Sequence, residues 1–212
     1  MASEKKMVIP RLGSAHDLER DGVSVEIGEV NWPELFKYKP EVTLSCGYTG
    51  NEIILRYRVR EGYIAAKHTR INSEVYRDSC VEFFISPGGS NYYNFEFNCI
   101  GTAYAAFGSP DLKNRRVLEE KKVSGIKTVS TLGNEYIDTR KAADPWELTI
   151  SIPFSLFGER ELQDPKGNTF KGNFFKCGDD LPVPHFLSWN PVKRKGSPNF
   201  HVPEFFGELQ FV

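Results

Sequence analysis

The stretch Ser79-Cys-Val-Glu-Phe-Phe-Ile-Ser-Pro-Gly-Gly-Ser-Asn-Tyr-Tyr-Asn-Phe-Glu-Phe-Asn-Cys99 decides how this chain folds. Two runs rich in aromatic and aliphatic residues flank Pro87-Gly-Gly-Ser90, so the segment reads as an antiparallel hairpin with a glycine turn. Successive side chains of a strand point to opposite faces. In the second run Tyr93, Phe95 and Phe97 therefore face one way, and Asn94, Glu96 and Asn98 the other. On the first run Asp78 and Glu82 share a parity. An ordinary solvent face would carry Lys, Thr or Ser; carboxamides and carboxylates in a row form an array of donors and acceptors suited to a neutral polyhydroxylated ligand. A solvated or internally paired polar face is the competing reading.

Working outward, the same period of two recurs along the chain. In Glu52–Arg60, Ile53, Leu55, Tyr57 and Val59 alternate with Arg56, Arg58 and Arg60, the pattern of a half-buried strand. Further strands are predicted at Val23–Glu29, Val42–Tyr48, Thr102–Phe107, Ile126–Thr131, Trp146–Ile152, Gly172–Lys176 and Gly207–Val212. One short helix is predicted after Pro153, with Phe154, Leu156 and Phe157 together and Gly158 as its cap. Asp111–Lys122 and Glu159–Lys171 read as long surface loops. Short strands without crossover helices predict an all-β, antiparallel two-sheet sandwich built as one domain over residues 1–212.

Composition narrows the function. Aromatic residues make up 13% of the 212, as 16 Phe, 9 Tyr and 3 Trp, which leans towards strands. With 27 Lys+Arg against 28 Asp+Glu, the net charge of −1 provides no field for a nucleic-acid backbone, and no nucleic-acid partner is expected. No apolar run approaches the roughly 20 residues of a membrane-spanning helix, so no membrane insertion is expected. Met1–Pro10 has basic residues but no apolar run behind them, so no signal peptide is visible; the expected location is periplasmic or secreted if a leader has been removed, and otherwise cytoplasmic.

The common catalytic signatures are missing. Gly167–Gly172 has phosphate-loop spacing, but Asn173 stands where the lysine belongs, and neither a GxSxG elbow nor an HExxH helix occurs. Lys193-Arg194-Lys195 reads as a solvated loop. Cys46, Cys80, Cys99 and Cys177 form no CxxC pair and read as buried thiols, while the four histidines are too scattered for a local ligand motif, so no metal ligand is assigned. Calcium leaves no such spacing, because loop carboxylates and carbonyls suffice to hold it, and that option stays open. What remains is the pair Glu82 and Glu96 on the two hairpin strands, which suits either sugar hydroxyls or the two-carboxylate chemistry of a glycoside hydrolase. Binding is the favoured reading.

Val75-Tyr-Arg-Asp-Ser-Cys-Val-Glu-Phe-Phe-Ile85, Tyr92-Tyr-Asn-Phe-Glu-Phe-Asn-Cys-Ile-Gly-Thr102, His185-Phe-Leu-Ser-Trp-Asn-Pro191 and Phe200-His-Val-Pro-Glu-Phe-Phe-Gly207 resemble family 9 carbohydrate-binding modules, in particular stand-alone relatives from gut Bacteroidetes. Trp146–Pro153 and Asn173–Asp179 fit the same pattern. The resemblance implies a jelly-roll-like sandwich, similar to DOMON domains, that grips a sugar between two aromatic rings, and it implies a setting in polysaccharide utilisation. It also implies structural calcium as the one metal, though no residue here matches a calcium ligand. In the xylanase-linked modules a tryptophan precedes a sugar-binding glutamate by six residues; Tyr76 and Glu82 keep that spacing, and the second, late tryptophan corresponds to Trp189. The expected site is thus Tyr76 and Trp189 as stacking platforms, with Glu82, Asn94, Glu96 and Asn98 as hydroxyl partners. The expected partner is a mono-, oligo- or polysaccharide. A core tryptophan is the competing reading of Trp189, and a glycoside-processing enzyme using Glu82 and Glu96 is the alternative function. A DOMON-like haem module would need axial ligands, and the only methionines, Met1 and Met7, lie in an N-terminal stretch expected to be loose.

Overall fold

The structure, a computed structural model, describes residues 4–212. In chain order its strands are β1 (Lys6–Ile9), β2 (Val23–Glu26), β3 (Glu29–Val30), β4 (Glu41–Tyr48), β5 (Glu52–Arg60), β6 (Tyr63–Ala66), β7 (Cys80–Gly88), β8 (Asn91–Asn98), β9 (Ala103–Gly108), β10 (Arg116–Val117), β11 (Lys127–Ser130), β12 (Ile137–Lys141), β13 (Trp146–Pro153), β14 (Thr169–Cys177), β15 (Phe186–Ser188) and β16 (Gly207–Phe211). The larger sheet runs β1-β16-β14-β7-β8-β9-β10, with β15 on β14 and β3 on β15; the second runs β11-β13-β5-β4-β2, and β6 pairs separately with β12. The β7–β8 hairpin turns through Gly88 and Gly89, the latter at φ +66°, where a side chain would be strained.

The two sheets face each other across one core. Val81, Phe83, Phe95, Phe97 and Phe174 of the larger sheet meet Val42, Leu44, Leu55, Val59, Leu148 and Ile150 of the smaller. Phe83 stacks on Phe174 at 4.9 Å, and the Tyr57 hydroxyl crosses the sandwich to donate to the Glu82 carbonyl oxygen at 2.9 Å. The alternation along β13, buried at every second residue, is the one-face-buried pattern that a sandwich strand requires.

Several local expectations shift. The N-terminal stretch is not loose: β1 pairs with β16, parallel, and Met7 is buried in the core, while Met1 lies outside the described residues. After Pro153 the chain makes a single 3₁₀ turn, Phe154–Leu156, rather than an α-helix, because Phe154, Leu156 and Phe157 must all be buried at once. Asp111–Lys122 is a surface segment only in part. It contains a 3₁₀ turn and β10, and between them Arg115 turns back over the larger sheet. Glu159–Lys171 holds a helical turn, Arg160–Gln163, anchored by buried Leu162, and the start of β14.

Candidate functional site

Strand register builds the site on the outer face of the larger sheet. Phe175 of β14 lies opposite Glu82 of β7, Glu82 opposite Glu96 of β8, and Glu96 opposite Tyr104 of β9. One step along, Asn173, Phe84, Asn94 and Ala106 form a second row; on the other side Cys177, Cys80 and Asn98 form a third. These side chains share parity and point away from the core. Trp32, Val192, Phe200, Val202 and Phe206 fold over part of this face and pack with Phe84, Tyr92 and Phe175, the Phe200 and Phe175 rings stacking at 4.2 Å. Where that cover stops, a cavity of about 970 Å³ remains. Glu82, Glu96, Asn94 and Cys177 reach it from the sheet, Tyr76, Tyr104, Phe186 and Phe200 offer aromatic rings, and Arg115, Asp179 and His201 add polar groups.

The polar groups hold one another in place. The Arg115 guanidinium donates to the Tyr92, Gly108 and Ser109 carbonyls and to Asn94 Oδ1, and lies 4.1 Å over the Tyr92 ring. Asn94 in turn donates to Glu96 Oε1 at 2.7 Å. The Cys177 thiol donates to Glu82 Oε1 at 3.2 Å. Burial first, then repulsion from Glu96, pushes the Glu82 carboxyl well above the usual carboxylate range. Burial pushes Glu96 upward too, opposed by the Asn94 hydrogen bond and by Arg115. Asp179 is raised to about 6, chiefly by burial and then by Asp180. Two adjacent carboxyls that resist full ionisation present both donors and acceptors to the cavity.

Of the six residues expected from sequence, four line this cavity: Tyr76, Glu82, Asn94 and Glu96. Asn98 does not. It is fully buried, its amide donating to the His68 carbonyl and to Asp78 Oδ2 while its Oδ1 accepts from Thr102 N–H. Its oxygen closes the turn after β8, and its amide ties that turn to His68 and Asp78. Trp189 does not line the cavity either. It follows β15, and the period of two turns Leu187 and Trp189 inward together, leaving Phe186 on the cavity side. Trp189 is 3% exposed and packs edge-on against Phe174. Arg115, Tyr104, Asp179 and Phe200 escape a reading of the sequence because loop and distant strand must close before they meet Glu82. Tyr104 alone carried a signal, sharing parity with Ala106 on a predicted strand.

His201 links the site to acid stability. Its Nδ1 lies 2.8 Å from the Tyr92 hydroxyl, and burial, then the Arg115 charge, pushes its pKa down to about 3 from 6.5. The unfolded chain therefore binds a proton that the folded chain refuses between those values, and stability falls as pH falls through that window. Glu82 and Glu96, whose affinity for protons is raised by folding, act in the opposite sense as pH rises. We expect His201→Gln to flatten the decline of Tm between pH 6.5 and 4 relative to the unaltered chain; parallel declines in the two melting series would contradict the assignment.

The profile of carbohydrate-binding family 9 matches residues 15–211, nearly the whole chain. The chain belongs to carbohydrate-binding family 9. A structure from Bacteroides uniformis ATCC 8492, provisionally named a carbohydrate-binding protein, is 36% identical, covering 99% of this chain and 100% of that one at a TM-score of 0.91. Family 9 modules from Caldicellulosiruptor kristjanssonii, solved with cellotriose and with glucose, share the fold at TM-scores of 0.57 and 0.58 with 11% and 13% identity, covering 98% of this chain and 93% and 96% of theirs. No curated protein matches. This family 9 chain also bears on the calcium that the resemblance implies. Calcium takes six to eight oxygen donors. Among the described residues, the group of three or more acidic, cysteine and histidine side chains close enough to share an ion is Cys80, Glu82 and Cys177, and its two sulfurs do not suit calcium. None of the described helices is long and apolar enough to cross a membrane.

Proposed function

We propose that this chain binds carbohydrate without processing it, and that the cavity over β7, β8, β9 and β14 is the binding site. The observation that carries the reading is the combination, in one cavity, of aromatic rings with the Arg115–Asn94–Glu96 and Cys177–Glu82 hydrogen-bonded sets. A sugar has apolar C–H faces and a rim of hydroxyls, so it asks for flat apolar walls beside donors and acceptors fixed in advance. Tyr76 supplies a wall on the 3₁₀ turn Val75–Arg77, its hydroxyl donating to Glu74 Oε1 at 3.0 Å, and Tyr104, Phe186 and Phe200 supply others. Family 9 modules solved with glucose and cellotriose support the ligand class. A role in polysaccharide utilisation follows from the same reading.

The carboxyl pair supports binding over hydrolysis. Glu82 and Glu96 are direct cross-strand neighbours on one floor, whereas glycosidase carboxyls flank the scissile bond and differ in environment, one held protonated and one ionised. Here the same cause, burial, raises both. Ring faces removing on the order of 100–150 Å² of apolar area would contribute roughly 2.5–4 kcal/mol. After the cost of immobilising the ligand, affinity falls in the roughly high-micromolar to millimolar range.

Calorimetry with glucose, cellotriose and any oligosaccharide captured on a glycan array tests this. Tyr76→Ala and Glu96→Ala should each weaken binding by about tenfold or more, equivalent to ~1.4 kcal/mol, with melting curves showing a folded domain. Asn98→Ala should lower Tm and leave affinity intact below it. Variants that bind like the unaltered chain would move the site elsewhere. Sugar release from oligosaccharides that Glu82→Gln abolishes would establish the enzyme instead.

A further inference from the structure

Beside the Cys177–Glu82 pair, the floor of the cavity holds a second sulfur, Cys80, that carbohydrate recognition does not require. Cys80 on β7 and Cys177 on β14 are directly opposed across the two strands, on the face that points away from the core. Glu82 stands two residues further along β7 on the same face. One ligand atom from each, two sulfurs and a carboxylate oxygen, lie within 4.8 Å of one another. All three residues are buried, at 0%, 2% and 3% exposure for Cys80, Cys177 and Glu82. In tetrahedral zinc sites, with metal–sulfur bonds of about 2.3 Å and metal–oxygen bonds of about 2.1 Å, neighbouring ligand atoms stand roughly 3.5–3.8 Å apart. The Cys177 Sγ to Glu82 Oε1 separation of 3.2 Å is already close to that edge.

Two further observations point to an ion rather than to packing alone. Among the described residues Glu82 forms no ion pair: Lys176, the neighbouring residue on β14, points to the opposite face, where its ammonium pairs with Glu61. The cluster also opens onto the cavity, since Glu82 and Cys177 both line it, and so does Asp179, two residues beyond Cys177. Two of the three donors are thus reached from solvent through the cavity, as an open site rather than a closed structural one requires.

We propose that Cys80, Cys177 and Glu82 form a site for a thiophilic divalent cation of the zinc class. Loading converts two thiols to metal-bound thiolates and Glu82 to a carboxylate, releasing two thiol protons and any proton that the Glu82 carboxyl holds to solvent, with no change in oxidation state. The carboxylate completes a ligand set whose two sulfurs select zinc, cadmium or cobalt over calcium and magnesium. The inference does not depend on carbohydrate binding, and its test needs no sugar.

Reduced, chelator-treated protein titrated with Co²⁺ and with Cd²⁺ reads the site directly. Co²⁺ should develop intense visible bands of a tetrahedral thiolate complex, and Cd²⁺ a thiolate charge-transfer band in the ultraviolet, each saturating at one equivalent. Zn²⁺ should bleach the cobalt spectrum, and excess Ca²⁺ should not. Cys177→Ser and Cys80→Ser should each lose most of the band and weaken Cd²⁺ binding at least tenfold, whereas Cys46→Ser and Cys99→Ser keep it. Absence of any thiolate band in the unaltered protein overturns the proposal, a result that needs no variant to fold. A band that survives in both Cys80→Ser and Cys177→Ser overturns it equally. Glycan binding by chelator-treated protein, measured separately, tells failure of this site from failure of the carbohydrate reading.

Discussion

Replacing Glu61 with alanine should destabilise the domain by about 3–5 kcal/mol, because it strands a buried charge. Glu61 follows β5, and its carboxylate pairs with the Lys176 ammonium at 2.9 Å and accepts from Trp146 Nε1 at 2.8 Å. Lys176 is fully buried on the core face of β14, where its other partners are the Cys177 carbonyl and His185 Nε2, each at 2.8 Å. Neither neutral acceptor replaces a carboxylate, and the indole N–H would lose its acceptor as well. For a domain of this length the loss should lower Tm on the order of ten degrees. The companion double variant, Glu61→Leu with Lys176→Met, removes both charges and should recover most of the loss, since a buried pair contributes little beyond the apolar pair that could replace it. Urea unfolding of both variants decides the matter: a cost for Glu61→Ala below about 1 kcal/mol, or a double variant as unstable as the single, would show that the ion pair is not what holds this end of the sandwich.

The second large effect is expected at Trp189. Truncating a buried tryptophan to alanine costs about 3–5 kcal/mol through lost transfer energy and the cavity left behind. Trp189 fits that case: it is 3% exposed, lies edge-on to Phe174 at 5.9 Å, and covers Gly207 so closely that a Cβ there would sit 2.5 Å from its ring. Trp189→Ala should therefore melt at a much lower temperature while the fraction still folded binds sugar as before. Gly207→Ala should destabilise through the same ring from the other side. Calorimetry below the variant's Tm separates the two roles: lost affinity in a folded Trp189→Ala protein would return the residue to the binding site. Tyr76, by contrast, is half-buried at the cavity and held by Glu74.

Much of this architecture follows from local pattern. The alternation in Ser79–Cys99, split by Pro87-Gly-Gly-Ser90, requires a hairpin with Phe95 and Phe97 on one face and Asn94 and Glu96 on the other. Period two in Glu52–Arg60 and Trp146–Ile152 supplies strands of the second sheet, because a strand with one buried face has no other way to distribute such side chains. The same rule, applied to His185-Phe-Leu-Ser-Trp189, turns Trp189 inward with Leu187; the motif resemblance pointed the other way. Local pattern also puts Glu82 and Glu96 on the two strands of one hairpin, while the register shift between Ile85 and Gly88 sets them opposite each other.

Tertiary structure decides the rest, for one physical reason: the remaining pairings join segments far apart in sequence, and no short-range preference encodes which of many strands becomes a neighbour. Only the closing of β14 onto β7 sets Cys177 against Cys80 and Glu82. Only the return of a charged surface segment brings Arg115 onto Asn94, and only the fold of the chain beyond β15 brings Phe200 and His201 over the sheet. Asn98 shows the same limit from the other side. Its type and parity match Asn94 and Glu96, yet the turn at the end of β8 and the distant His68 and Asp78 take up its hydrogen bonds. Sequence by itself determined which face of the hairpin is polar; the long-range register determined which of those polar groups remain free to meet a ligand.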